Sequence, residues 1–173
     1  RSSLKINKKK INKQQFNIID NHYEIDFNDF ENKIKQYKIK LFLLCSPHNP
    51  VGRVWTENEL DKIIEICKRY NVFIVSDEIH SDFVWKGNHI CLLKYEINQI
   101  NYISTAPTKT FNLAGLQVSN IFIPNAEVRQ KFQLELWNTG YSLIKYNGIS
   151  LLAAAYEKGQ KWLDELKRLL IRN

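Results

Sequence analysis

The 173-residue sequence contains no methionine at all, an initiator included, and on this ground it is expected to be a piece of a longer chain. It also lacks any apolar run approaching the ~20 residues that a membrane-spanning helix needs. The opening residues do not follow the charged-then-apolar order of a secretory signal, so a soluble cytoplasmic protein with no membrane partner is expected. Cysteines are few, odd in number and widely spaced (Cys45, Cys67, Cys91), with no CxxC pair. That argues against a disulfide framework or a zinc site and for buried thiols. The four histidines make no paired ligand spacing on a helix, and no metal is expected. No internal repeat or low-complexity linker interrupts the chain.

What is present fits a folded domain: 44% hydrophobic and 12% aromatic residues. The net charge of +7 comes largely from Lys5, Lys8, Lys9, Lys10 and Lys13. Such a stretch is usually a solvated face, and no nucleic-acid partner is expected.

Residues 1–25 contain no convincing periodic element. Asp26 to Tyr37 reads as a helix, with Phe27, Phe30 and Ile34 at helical spacing. Leu41 to Cys45 is a continuous apolar run of the kind found in buried parallel strands. Ser46 to Gly52, with two prolines and a glycine, breaks it. Thr56 opens a helix with Glu59 three residues on, a capping box, and Leu60, Ile63, Ile64 and Cys67 form its apolar stripe. Val72 to Val75 is a second buried strand ending at Ser76-Asp77-Glu78, and Ile100 to Ser104 a third. A polar loop with Thr108-Lys109 follows, then a strand over Val118 to Ile123. Asn125 caps a helix with Val128, Phe132 and Leu136. A further helix through Leu151, Leu152 and Ala155 stops near Gly159, and Trp162, Leu163, Leu166, Leu169 and Leu170 mark the last.

Alternating strands and helices imply an α/β fold with a mostly parallel sheet flanked by helices. In such sheets ligands bind beyond the carboxyl ends of the strands, and three polar groups fall there: Ser46–Asn49, Asp77–His80 and Thr108–Lys109. A carboxylate just past an apolar strand needs a cationic or hydrogen-bonding partner, and a protonated ring nitrogen would serve Asp77. Lys109, shielded from water, would be a nucleophile toward an aldehyde. Thr108 could donate to a phosphate, Asn49 could bond a phenolic oxygen from a rigid turn, and His80 could reach the same ligand from the turn after Asp77. Each has an ordinary alternative. Asp77 could be a helix cap or surface ion pair, Lys109 an exposed lysine, Thr108 a local backbone cap, Asn49 a turn residue and His80 a packed core histidine. Their joint placement at three strand ends favours a shared site.

Three segments carry a resemblance: Ser46-Pro47-His48-Asn49-Pro50-Val51-Gly52-Arg53-Val54-Trp55, then Ser76-Asp77-Glu78-Ile79-His80-Ser81-Asp82-Phe83, then Ala106-Pro107-Thr108-Lys109-Thr110-Phe111-Asn112-Leu113-Ala114-Gly115-Leu116. In order and spelling they resemble the class I/II aminotransferase superfamily, and more narrowly its cystathionine β-lyase (cysteine-S-conjugate β-lyase) branch. The histidine at 80 and the Ser-Pro-His-Asn-Pro spelling point to that branch. The resemblance implies a fold type I, pyridoxal 5'-phosphate (PLP) dependent large domain, partial over residues 1–144. Residues 145–173 would be helices leading toward a small domain that is absent. It also implies roles. Lys109 would form the Schiff base with the cofactor and later move the α-proton. Asp77 would pair with the pyridine nitrogen, Asn49 and His80 would contact the ring 3-oxygen, and Thr108 would contact the phosphate. The substrate would be an amino acid, and the parent protein a homodimer with active sites at the subunit boundary. Ala106 departs from a serine common in the family, and Gln117 from a phosphate-binding arginine. The upstream phosphate cradle and stacking aromatic, and the downstream carboxylate-binding arginine, are not among these residues. The implied reaction is β-elimination from cystathionine or a related conjugate, giving thiol, pyruvate and ammonia. The fragment by itself is expected to be inactive. An aminotransferase and a non-catalytic truncated remnant are the alternatives.

Overall fold

The computed structural model describes residues 10–95, 100–141 and 146–173. Lys5, Lys8 and Lys9 of the basic stretch lie outside these residues, as does the expected boundary at 144/145.

The described chain opens with an antiparallel hairpin, β1 (Phe16–Ile19) and β2 (His22–Ile25), in the register Phe16↔Ile25 and Ile19↔His22. This corrects the expectation that nothing periodic precedes residue 26. The connection is Asp20-Asn21, both at positive φ (48° and 61°), which is the two-residue turn whose twist matches a hairpin. Asp26 then caps α1 (Phe27–Tyr37), its Oδ1 accepting from the Asp29 N–H at 2.9 Å.

A four-stranded sheet follows in the order β3-β4-β5-β6, comprising β3 (Leu41–Cys45), β4 (Phe73–Asp77), β5 (Ile100–Thr105) and β6 (Asn120–Phe122). The first three are parallel, and β6 runs antiparallel to β5. Helix α2 (Glu57–Arg69) links β3 to β4, and its expected capping box forms in full between Thr56 and Glu59. The core lies where α1 and α2 meet one face of the sheet. There Phe30, Ile34, Leu60, Ile63 and Cys67 pack on Leu44, Ile74 and Ile103. The opposite face is covered near β5, where Phe132 of α4 (Ala126–Asn138) stands 5.8 Å from Tyr102, ring to ring. At β3 that face is open: Leu41 and Leu43 are 44% and 57% exposed, against 3% for Leu44. The β3 strand is therefore buried on one face, and not on both as its unbroken apolar run suggests.

The polar loop expected at Thr108-Lys109 is instead a single helical turn, α3 (Pro107–Thr110), opened by a proline at its first position. The chain ends in α5 (Tyr146–Lys158) and α6 (Gln160–Arg172), parted at Gly159 as expected. Among the described residues no helix is long and apolar enough to cross a membrane.

Candidate active site

The register of the sheet builds the site. Cys45 pairs with Asp77, and Asp77 with Ser104, so the carboxyl ends of β3, β4 and β5 stand in one row. Neighbouring strands lie about 4.8 Å apart, so the row is about 10 Å wide. Each of the five candidate residues follows one of these ends: Asn49 after β3, Asp77 and His80 at and after β4, Thr108 and Lys109 after β5.

After β3 the chain continues the ladder for one bond, Ser46 N–H to Asp77 O at 3.0 Å, and then reverses. The reversal is a small loop in which the His48 N–H donates to Arg53 O (2.7 Å) and the Gly52 N–H to His48 O (2.8 Å). Gly52 has φ +70°, a conformation that favours glycine. The loop is anchored from below. The Arg53 guanidinium grips both Glu59 oxygens, at 2.7 and 2.9 Å, lies over the Trp55 ring, and donates to the Tyr23 carbonyl of the hairpin. Glu59 also completes the capping box of α2 with Thr56, and buried Trp55 donates its Nε1–H to Cys45 O at 2.9 Å. Asn49 is thus an exposed amide carried on a fixed loop.

Asp77 is partly buried. Its Oδ1 accepts from the Ser104 hydroxyl at 3.2 Å and from the Ile79 N–H at 3.4 Å. Among the described residues nothing donates to its Oδ2. Alternation along β4 sends Asp77 to the face away from α1 and α2, the face that Tyr102 and Ser104 share. Glu78 goes the other way and is 1% exposed. Burial opposes its ionisation, but hydrogen bonds from His89, the Leu92 N–H and Ser76 outweigh that and hold its carboxyl below the usual carboxylate value.

His80 and Asn49 share a pocket of about 590 Å³, together with His48, Phe83 and Trp85. Asp77, Thr108 and Lys109 do not line it. Thr108 is half-buried, and Lys109 is exposed on α3 with no carboxylate partner among the described residues. The expectation of a shielded amine therefore differs from what is seen, because the single turn buries Pro107 and Thr110 and leaves Lys109 on its outer side. One bond ties the two halves: the buried Thr110 hydroxyl donates to Asp82 Oδ2 at 2.6 Å, fastening α3 to the loop that carries His80. At the β3 end the Ser46 hydroxyl and His48 Nδ1 are buried and have no partner among the described residues. Burial also pushes the His48 imidazole below its ordinary value. Unpartnered buried polar atoms call for a ligand or water. Gln117, exposed and at φ 54°, ends the short turn after α3.

Sequence reasoning missed Glu78 and the Arg53–Glu59 pair. The signal for Glu78 was present: in a strand of period two, adjacent acids at 77 and 78 cannot both face one site.

The fold and the row of strand ends define the class, and the comparisons agree. The family model for aminotransferase class I and II matches residues 5–173, and the chain belongs to that family. Among curated relatives, it is 41% identical over 157 residues to cystathionine beta-lyase PatB of Bacillus subtilis (strain 168), covering 89% of this chain and 41% of that protein. Among solved structures, it matches a PLP-bound putative aminotransferase from Clostridium difficile 630 at TM-score 0.91 and 37% identity, over 99% of this chain and 45% of the other. A PLP-bound C-S lyase from Staphylococcus hominis matches at TM-score 0.88 and 34% identity, over 99% and 44%. The chain spans about four-tenths of the length of the curated relatives it matches.

Proposed function

We propose that this chain is the cofactor-anchoring part of a PLP-dependent carbon–sulfur β-lyase acting on cystathionine or related cysteine S-conjugates. The observation that carries the reading is Asp77. It is a partly buried carboxylate at the centre of the strand-end row, with one oxygen held by Ser104 and Ile79 and the other, which no described residue meets, able to accept from a ring N–H. The likeness to proteins named cystathionine beta-lyase and C-S lyase supports the choice of reaction.

When bound, PLP supplies an electron-withdrawing pyridinium ring that makes the substrate's α-proton acidic. The residues of this chain then divide the work. Asp77 keeps the ring nitrogen protonated by accepting its hydrogen bond. Asn49 and His80, already facing one pocket, hold the ring's 3-oxygen. The Thr108 hydroxyl donates to the phosphate. Lys109 would hold the cofactor through its aldehyde carbon and would be the base that takes the substrate's α-proton. Loss of the thiol from the β-carbon, followed by water, yields pyruvate and ammonia. Ala106 has no side-chain donor and Gln117 only an uncharged one, so within these residues the phosphate contact would fall mainly to Thr108. The exposed Lys109 leads us to expect negligible turnover from the 173 residues alone.

The test is spectroscopic and chemical. Adding PLP should produce a visible absorption band that Lys109→Ala abolishes, and an unchanged spectrum in that variant would defeat the reading. In the protein that carries this chain, pyruvate and ammonia should form from cystathionine with no keto acid present. Strict dependence on a keto acid would instead favour an aminotransferase. That second reading is supported by the likeness to the putative aminotransferase from Clostridium difficile 630.

A further inference from the structure

The Glu78 carboxylate is buried on the side of β4 opposite the proposed ring site, where an unpaired charge would cost several kcal/mol. It is fully engaged. Oε1 accepts from the Ser76 hydroxyl (2.9 Å) and from the Leu92 N–H (3.0 Å), and Oε2 meets His89 Nε2 at 2.8 Å. Its partners thus come from two places, the end of β4 and the segment 89–92. Between those places the chain runs out and back through residues 79–88, so one carboxylate closes that excursion at its base. The excursion is the pocket wall: His80, Phe83, Trp85 and Lys86 line it, facing Asn49 on the other side. Elsewhere it is fastened by the Asp82–Thr110 bond and by its own turns, Ser81 N–H to Glu78 O (3.0 Å) and Phe83 N–H to His80 O (2.9 Å).

We infer that Glu78 and His89 are a positioning pair, whose hydrogen bond closes the 79–88 loop and so holds His80 and the aromatic wall of the pocket against Asn49. Asp77 and Glu78, adjacent in sequence, then serve opposite faces of one strand: the first meets the ring, the second sets the wall beside it. The consequence for cofactor binding rests on the function proposed above, but the closing of the loop does not.

Two substitutions at 89 separate hydrogen bonding from packing. His89→Gln keeps an N–H donor near the Nε2 position, and His89→Leu keeps bulk without the donor. Amide hydrogen exchange in residues 79–88 of the full chain should be unchanged in His89→Gln. In His89→Leu it should be faster by about ten- to a hundredfold, the worth of a hydrogen bond to a buried charge. The amides of β4 and α2 should not follow. PLP affinity should fall about tenfold in His89→Leu and be restored in His89→Gln. If leucine protects the loop as well as glutamine does, the pair has no positioning role and the inference is overturned. Should His89→Leu not fold, Ser76→Ala removes one donor to Glu78 at little structural cost. It should speed exchange in 79–88 by about threefold to tenfold, and no change there would equally refute the inference. Failure of the unsubstituted protein to bind PLP would defeat the proposed function, while the exchange result would still decide the loop.

Discussion

Gly159 separates α5 from α6 with ordinary helical angles, φ −81° and ψ −9°. By backbone preference alone, alanine there should stabilise the chain by about 0.4–1 kcal/mol. The surroundings predict the reverse. A methyl group at this position would lie 2.5 Å from Phe111 Cε1, and closer still to the Ala155 carbonyl oxygen. Carbon atoms pack best about 3.5–4.0 Å apart, so the ring would have to retreat by about 1 Å. It is not free to do so, because Phe111 is set between Tyr156 (centroids 6.3 Å apart) and Trp162 (6.0 Å). Overpacking of this kind costs about 1–3 kcal/mol, which exceeds the preference gain. Gly159→Ala should therefore lower the urea midpoint, with a net loss of about 1–2 kcal/mol at unchanged m-value. Phe111→Leu in the same background should relieve the ring clash but not the carbonyl clash, leaving a coupling of about 0.5 kcal/mol or more in the double-mutant cycle. A midpoint that rises in Gly159→Ala would show that the helix junction has room, and the packing argument would fail. The result bears on the site because Phe111 lies two residues past Lys109, and its backbone N–H closes α3 on the Pro107 carbonyl.

Three further outcomes can be checked. The Arg53–Glu59 pair is neither buried nor free, with side chains 20% and 18% exposed. Arg53→Leu should thus cost about 1–3 kcal/mol, and Glu59→Ala more, because Glu59 also closes the α2 capping box. Urea melts of the two variants would show it, and equal losses would refute the double role. Burial pushes the Cys67 thiol up to about 12 from an ordinary 9.0, making it about a thousandfold less ionised than an open thiol. A thiol reagent at pH 8 should leave Cys67 unlabelled until urea unfolds the chain, and prompt native labelling would contradict this. The Glu31 carboxyl is lowered from 4.5 to about 2, first by the hydrogen bond from Tyr70 and next by Lys35. A depressed carboxylate contributes stability that is present above its unfolded value and lost as pH falls through the folded one. The gap between the wild type and Glu31→Gln should therefore hold at neutral pH and close between about pH 4.5 and 2 in urea melts across that range.

How much of this was legible beforehand varied with the kind of signal. Leu41–Cys45 and the Thr56/Glu59 cap were read at their true positions, because an apolar run stopped by Pro47 and Pro50 and a reciprocal cap are local and self-sufficient. The β1–β2 hairpin was not, since Phe16–Ile25 is half polar and its strongest mark is the Asp20-Asn21 turn rather than any periodicity. The one-turn helix at Lys109 was announced by Pro107, but four residues are too few for a periodic pattern. At the site, position was easier to read than surroundings. The strand ends located Asn49, Asp77, His80, Thr108 and Lys109, whereas the exposure of Lys109 depends on what packs around it, which no local pattern contains.

The pairing at β4 shows why a row of strand ends suits a planar ligand. Parallel pairing, continuous between β3 and β4 and resumed after a register shift at Ile74/Val75 between β4 and β5, fixes the heights of Cys45, Asp77 and Ser104 relative to one another before any loop is added. Loops can then differ in length and conformation without moving the central carboxylate, since Asp77 is held by the strand on its right through Ser104 and by its own turn through Ile79. Asn49 follows the strand on one side of that carboxylate and Lys109 the strand on the other, so a ring seated on Asp77, as proposed, would have one toward each flank. Moving the carboxylate to position 76 or 78 would turn it to the core face, where Ser76 and Glu78 already point, and no rearrangement of the loops could bring it back. The identity of the residue at 77 is therefore fixed by the pleat of the strand as much as by the chemistry it is proposed to perform.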